Sequence, residues 1–404
     1  KDVMPEIRAL TMQVKVSELA VIRALPYVAA ANPDAVRNGA PVDTVLATDF
    51  SDGISTWNLD AINVTDFGVG RVAEYDGTGV YVAVLDTGLV DVWRQYFPEE
   101  RIAEEYAKSF GGGGGEVGFV SEQPNKWEHD QNSHGTHVTS TILGYSLRGT
   151  PVNGVAPMAT IIPVKVLNQN GSGWSSTVAM GITYVADLKA GPLADFPVVI
   201  NMSLGGPSLD AVEQAAIDYA IENGVIIVAS AGNSGTRGMG YPGAYEPVIS
   251  VAASGWVKQW QPLPRPNVWW KDLDVADNPI NLDEFYIASF SSRALAGQDL
   301  DVAAPGSLVV GPYNVNSGQL SYYYLSGTSM ASPHVAGIAA LIAQKNPSLN
   351  GPEIEVILQN SAIQLAAGCR NVPGRTGVLS SVCWGADATG AGLATADAAL
   401  AITP

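Results

Sequence analysis

Positive charge and long apolar runs are what this sequence has least of. Its 21 lysines and arginines face 39 acids, a formal net charge of −18. A surface of that sign repels a phosphate backbone instead of neutralising it, which excludes nucleic-acid binding; the acidity serves solubility. No stretch approaches the ~18 consecutive apolar residues of a membrane span, and the opening "KDVMPEIRAL" has no apolar signal-peptide core. Any export signal is therefore expected to lie outside this chain. Charged residues make up 15% and hydrophobic ones 47% of the 404 residues. That is a compact globular composition, long enough for one large core or two ordinary ones, and not a disordered one.

Cysteine and histidine are nearly as sparse. The two cysteines, Cys369 and Cys383, lie in "GCRNVPGRTGVLSSVCWG", a stretch of Gly, Ser and Pro that reads as a loop suited to a local disulfide. Closing about 15 residues would contribute roughly 3 kcal/mol, and such a bridge persists only outside a reducing cytosol. Two free thiols are the alternative. Three of the four histidines fall in "HDQNSHGTHV", residues 129–138. His134 and His137, three apart, would share a helix face and could hold a metal; otherwise one is a catalytic base and the others are scaffolding.

From Val80 onward short apolar runs alternate with helical stretches, the pattern of a mostly parallel sheet covered by helices. "VYVAVL" (80–85), "ATIIPVKVL" (159–167), "FPVVINMSL" (196–204), "GVIIVAS" (224–230) and "VISVAAS" (248–254) are continuous runs, as strands buried on both faces should be. Residues 209–224 read as a helix stopped by Gly224, and 329–347 as a second one ended by Pro347. Ahead of them, "LTMQVKV", "SELAVIRAL" and "YVAAANPDAV" read as strand, helix and strand; Ser17 is placed to cap the helix, and Leu19, Ile22 and Leu25 mark its apolar face. So few residues cannot build a robust core, so this piece should lean on the main domain across a linker within Arg37–Asp60. Three segments look inserted: 110–119, rich in glycine; 255–285, with Trp256, Trp260, Trp269 and Trp270 beside five acids; and the cysteine segment, 369–383.

Three places carry chemistry. Asp86 ends a strand in "VAVLDTG", where a carboxylate at the carboxyl edge of a parallel sheet lies in the ligand crevice, although Asp-Thr-Gly also occurs in turns and in aspartic proteases. His134 opens the helix "HGTHVTSTILG", where a histidine on its own is more often structural. Ser329, in "LSGTSMASPHVAG", brings a hydroxyl to a helix N-terminus, whose dipole and free N–H groups stabilise the negative charge formed when a hydroxyl attacks a carbonyl. A serine needs a base, and a histidine base needs a carboxylate to fix its tautomer.

"VAVLDTG", "NSHGTHV" and "SGTSMASPHVAG", in this order, resemble the three signatures of the subtilisin-like serine proteases, and the likeness runs from about Trp57 to Ala399. It implies a three-layer α/β/α fold with a mostly parallel central sheet over residues 48–404, and a secreted, monomeric endopeptidase acting on proteins or peptides through an acyl-enzyme. Asp86 would be the orienting acid, His134 the general base and acid, and Ser329 the nucleophile. In "VASAGNSG", which alone would read as a turn, Asn233 would share the oxyanion with the Ser329 N–H. "NMSLGG" resembles one wall of the substrate cleft (Ser203, Leu204, Gly205) and "NQNGSGW" the other (Gly171, Ser172, Gly173), with Ser230 bordering the pocket for the residue before the cleaved bond; large apolar residues are expected there. His137 and His334 would be buried scaffold, and His129 an exposed loop residue.

Residues 1–47 resemble the second half of the family's propeptide, a small α+β unit that acts as intramolecular inhibitor and folding chaperone; here it is either uncut or kept as a stabilising appendage. The chemistry needs no cofactor. The family's strongest calcium site finds few acids here: "GYSLRGTPVNG" has none and only Asn153. Asp272, Asp274, Asp277 and Asp283 offer the oxygen ligands Ca²⁺ takes, against the commoner reading of a solvated acidic loop.

Overall fold

A computed structural model describes residues 2–38, 43–46, 56–65, 71–110, 125–260, 280–313, 320–374 and 376–404, with the side chains of residues 2, 38 and 43–46 excepted. Most of the glycine-rich insert and residues 261–279, with Trp269, Trp270, Asp272, Asp274 and Asp277, lie outside these.

The strands that position the rest are β1 (Val36–Asn38), β2 (Asp43–Leu46), β3 (Tyr81–Asp86), β4 (Lys108–Ser109), β5 (Thr160–Lys165), β6 (Ser172–Trp174), β7 (Val198–Met202), β8 (Val225–Ser230), β9 (Ile249–Trp256), β10 (Phe285–Ile287), β11 (Val302–Pro305), β12 (Val309–Pro312), β13 (Tyr322–Ser326), β14 (Gly368–Pro373) and β15 (Leu379–Trp384). The helices are α1 (Leu19–Arg23), α2 (His134–Leu143), α3 (Ser175–Ala190), α4 (Ala211–Glu222), α5 (Thr328–Lys345) and α6 (Gly351–Ser361). The central sheet runs β10-β9-β8-β7-β3-β5-β4, with β11 also beside β9 and only β10 antiparallel.

Successive residues of a strand point to opposite faces, and here both faces are covered. Val82 and Val84 of β3, Val199 of β7 and Val228 of β8 pack on one side with Val138 of α2 and Val335 of α5. Ala83, Leu85, Ile200 and Ile227 pack on the other with Val178 and Ile182 of α3 and Ile217 of α4. The expected three layers follow, and the five apolar runs are all central strands. The long helices also begin and end as read. Asp210 caps α4 by accepting from the N–H groups of Val212 (3.0 Å) and Glu213 (2.9 Å), and Gly224, at φ +82°, follows its end.

Three local readings need correction: the N-terminal strands, the Ser17 cap and the cysteine loop. Residues 27–35 form no strand, and of the first expected strand only Ala9–Thr11 pairs, with Asp2–Met4. Pro33 has no N–H to give a ladder, and Met12, Val14 and Val16 are exposed with no face to bury. Ser17 makes no cap to α1, although Leu19, Ile22 and Leu25 do turn the helix's less exposed side inward. The cysteine segment is also not a loop: β14 and β15 form a hairpin in which Cys369 and Cys383 stand directly opposite one another and are joined by a disulfide. The leaning of the N-terminal piece takes a definite form: β1 pairs antiparallel with β6, and β2 pairs antiparallel with β13.

Candidate active site

Asp86, Ser203 and Ser230 lie at or just past the carboxyl ends of β3, β7 and β8, along the crevice where parallel sheets hold ligands. Asp86 is fully buried. Its Oδ1 accepts from the Thr87 N–H at 2.7 Å, and its two oxygens stand 2.8 and 2.9 Å from Nδ1 of His134. A proton on Nδ1 satisfies that contact and leaves Nε2 as the unprotonated nitrogen. Nε2 is buried and has no hydrogen-bond partner among the described residues.

The turn before α2 fixes His134. Ser133 adopts the left-handed conformation (φ +73°), and Asp130 takes up the donors around it: the N–H groups of Asn132 (2.8 Å, on Oδ1) and Ser133 (2.8 Å, on Oδ2) and the Thr87 hydroxyl (2.8 Å, on Oδ2). Thr87 Oγ1 in turn accepts from the Gly135 N–H at 2.9 Å, so one carboxylate ties the end of β3 to the start of α2. Position 135 admits only glycine: a Cβ there would stand 2.4 Å from the Gly88 carbonyl oxygen. Burial pushes the Asp130 carboxyl up to about 6 even with Lys165 nearby; the Lys165 ammonium donates to the carbonyls of Thr87 (2.6 Å) and Leu167 (2.8 Å).

Ser329, second residue of α5, is buried, and its hydroxyl donates to the Ser203 carbonyl at 3.1 Å; no hydrogen bond joins it to His134. Pro333 lacks the N–H that would bond the Ser329 carbonyl four residues back, and the Ser203 hydroxyl donates to that carbonyl instead, at 2.8 Å. The carbonyl oxygen of the Asn233 side chain accepts from the Thr328 N–H (2.9 Å) and hydroxyl (3.0 Å), which turns its Nδ2 the other way. A Cβ on Gly327 would lie 3.5 Å from Asn233 Nδ2 and 3.6 Å from the Ser329 nitrogen. Those two N–H donors therefore border one small space, kept open by a missing methyl.

Gly171 immediately precedes edge strand β6, which Ser172 and Gly173 begin and which carries β1. Leu204 and Gly205 follow Ser203, and the Ser230 hydroxyl reaches the Leu204 carbonyl at 3.4 Å. His134 and His137 share no site: Nε2 of His137 contacts the Val309 carbonyl at 3.1 Å, and burial lowers its pKa to about 3. His334 is buried between the Met330 carbonyl (2.8 Å, on Nδ1) and Asn58 Nδ2 (2.8 Å, on Nε2), while His129 is exposed. Asp283 pairs with Arg370 of the disulfide hairpin at 2.8 Å. Among the described residues, Asp299, Asp301 and Glu355 bring carboxylate oxygens within 4.8 Å of one another. Of the four tryptophans of the insert, Trp256 and Trp260 are described, and both are buried.

Sequence reasoning missed Asp130, although an Asp that can accept from the second and third N–H groups ahead of it is a turn signal that "HDQNS" displays. It also missed a buried Arg37–Glu213 pair. Glu213 sits in the helix read over 209–224, and nothing in its spacing separates it from a solvated charge.

A sequence model described as the subtilase family matches residues 77–385. Subtilisin DY of Bacillus licheniformis is 36% identical over 295 residues, 72% of this chain and 86% of that protein. Subtilisin Savinase of Lederbergia lenta is 35% identical over 291 residues, with the same two shares. Among solved structures, sphericase superposes with a TM-score of 0.61 at 30% identity, covering 85% of this chain and 99% of that one.

Proposed function

We infer that this chain, which belongs to the subtilase family and is a serine endopeptidase, cleaves peptide bonds through Asp86, His134 and Ser329. One observation carries the assignment: a buried imidazole whose Nδ1 is taken by Asp86 while Nε2 has no partner among the described residues. An unpaired buried acceptor costs about 1–3 kcal/mol, a cost that a base awaiting a proton accounts for. The Ser329 hydroxyl turns from the Ser203 carbonyl to Nε2 and gives up its proton as Oγ bonds to the substrate carbonyl carbon. Asn233 Nδ2 and the Ser329 N–H receive the oxyanion. His134 passes the proton to the departing amine, leaving an ester on Ser329; it then takes a proton from water as that water attacks the ester carbon, and gives this proton to Ser329 Oγ as the ester bond breaks and the acid leaves. No cofactor enters these steps.

Substrates are proteins and peptides, bound as an added strand on β6 with the backbone of Ser203, Leu204 and Gly205 on the opposite side; such backbone recognition tolerates many sequences. Ser230 and Leu204 border the pocket next to the cleaved bond, for which large apolar side chains are the proposed preference. Residues 1–47 act in this proposal as an intramolecular inhibitor and folding aid, supported by β1 on the substrate edge and β2 on the strand that leads into the Ser329 helix. The disulfide supports a secreted protein, and no described helix is long and apolar enough to cross a membrane. We propose a monomer. Structural Ca²⁺ remains part of the proposal, with Asp299, Asp301 and Glu355 as the fitting oxygen donors among the described residues.

Activity of the triad variants tests the assignment. Ser329→Ala or His134→Ala should lower kcat by about 10⁶ and Asp86→Asn by less, the pattern known from subtilisin itself; a His134→Ala protein that retains a tenth of the activity would overturn it.

A further inference from the structure

Under the edge formed by β6, the Arg37 guanidinium is buried with no exposed surface, gripped in two places by Glu213 of α4, whose side chain is equally inaccessible. Nε donates to Oε1 at 2.9 Å and one terminal nitrogen to Oε2; that nitrogen also donates to the Ser208 carbonyl at 3.0 Å, and the other terminal nitrogen to the Val36 carbonyl at 3.2 Å. Gly206 forms a wall of the pocket: a Cβ there would come 2.5 Å from the guanidinium and 2.5 Å from the Val36 carbonyl oxygen. Burial pushes the Glu213 carboxyl up to about 7 in spite of Arg37, and the charges of Asp210 and Asp34 push the same way.

Burying two charges gives little net stability, since a well-packed apolar pair would serve as well or better; such pairs are best understood where they select one partner over another. The positions of the two members make that point here. Glu213 belongs to a core helix, whereas Arg37 arrives on β1, a three-residue strand held to β6 in antiparallel register with Arg37 opposite Gly173. The chain then continues to Asp43 opposite Ser326, three residues before Ser329. The acid is thus built into the enzyme, and the base is borne by a segment laid where a peptide substrate would lie.

We propose that the pocket formed by Glu213, the Ser208 carbonyl and Gly206 is a specificity subsite for arginine, filled in this chain by its own Arg37 and, in turnover, by an arginine of an extended substrate upstream of the cleaved bond. This rests on the reading of β6 as the substrate strand. A guanidinium suits it better than an ammonium, because two parallel N–H donors meet one carboxylate and a third N–H bond reaches the carbonyl behind it.

The test uses the full chain carrying Arg37→Gln, which frees Glu213, and the double variant Arg37→Gln/Glu213→Gln, which removes the charge without leaving a buried arginine unpaired. Each is given a peptide library to locate the cleaved bond, then matched peptides with arginine or neutral citrulline at the position opposite Gly173. With Glu213 present, kcat/KM should favour arginine on the order of 30-fold or more, the low end for loss of one charge from a buried pair; in the double variant the ratio should fall towards one. Equal cleavage of the two peptides by the single variant, or an undiminished ratio in the double one, overturns the subsite alone. If neither peptide is cut and an organophosphate fails to modify Ser329, the peptidase reading fails and the subsite with it.

Discussion

Asp130 never reaches the reacting atoms, yet three donors depend on its carboxylate, two of them in the turn that delivers His134. It is a positioning residue. Asparagine would keep the volume but set an NH₂ group against the N–H of Ser133 and the Thr87 hydroxyl, shifting the first residue of α2. Displacements of that kind cost about 10²-fold in rate. Asp130→Asn should therefore lower kcat by about that factor with KM nearly unchanged, and a variant with wild-type kcat would show that the turn does not set the histidine. Ser203 has a similar indirect part, because its hydroxyl replaces the helix bond that Pro333 cannot make to the carbonyl of Ser329. The motif residues were legible because their chemistry is local to short stretches. The supporting ones were not, because a lone Asp, Ser or Glu becomes distinctive only through partners distant in sequence, as Glu213 does through an arginine 176 positions away.

At the scale of elements, what could be read followed burial. Each of the five apolar runs is a strand covered on both faces, so composition alone betrayed it. The helices α4 and α5 carried their own stop signals. Reading failed where an element owes its form to a partner. β1 and β2 exist as strands by pairing with β6 and β13, and nothing in "DAVRNG" or "DTVL" announces those neighbours. The cysteine hairpin was obscured in the opposite way: Gly, Ser and Pro suggest a loop, but the facing cysteines and the Arg370–Asp283 pair hold a regular ladder beside β10. Asp34 shows the same dependence, for it accepts from the Ser176 N–H at 2.9 Å and so caps α3 from outside the helix.

Over the whole molecule, buried titratable groups set opposing slopes of stability against pH. His137 and His334 are held neutral, burial lowering them to about 3 and about 4. The unfolded chain binds protons at both below about pH 6.5, whereas the folded one does not until far lower. Their stability is therefore complete above that pH and is lost as pH falls towards 4, up to a few kcal/mol each at about 1.4 kcal/mol per pKa unit. Asp130 and Glu213, raised to about 6 and about 7, act the other way, because ionising them costs the folded state as pH rises from about 4. Chemical denaturation across pH should show a shallower acid limb in His334→Gln than in the wild type; identical limbs would mean that the buried imidazole does not couple to folding. The central claim, that Ser329 is acylated with the help of His134, is tested most directly by rapid mixing with a nitrophenyl ester. The account predicts a burst of one nitrophenolate per molecule, an acyl group on the peptide containing Ser329, and no burst from His134→Ala. Steady release with no burst and no adduct, or an adduct on another residue, would contradict it.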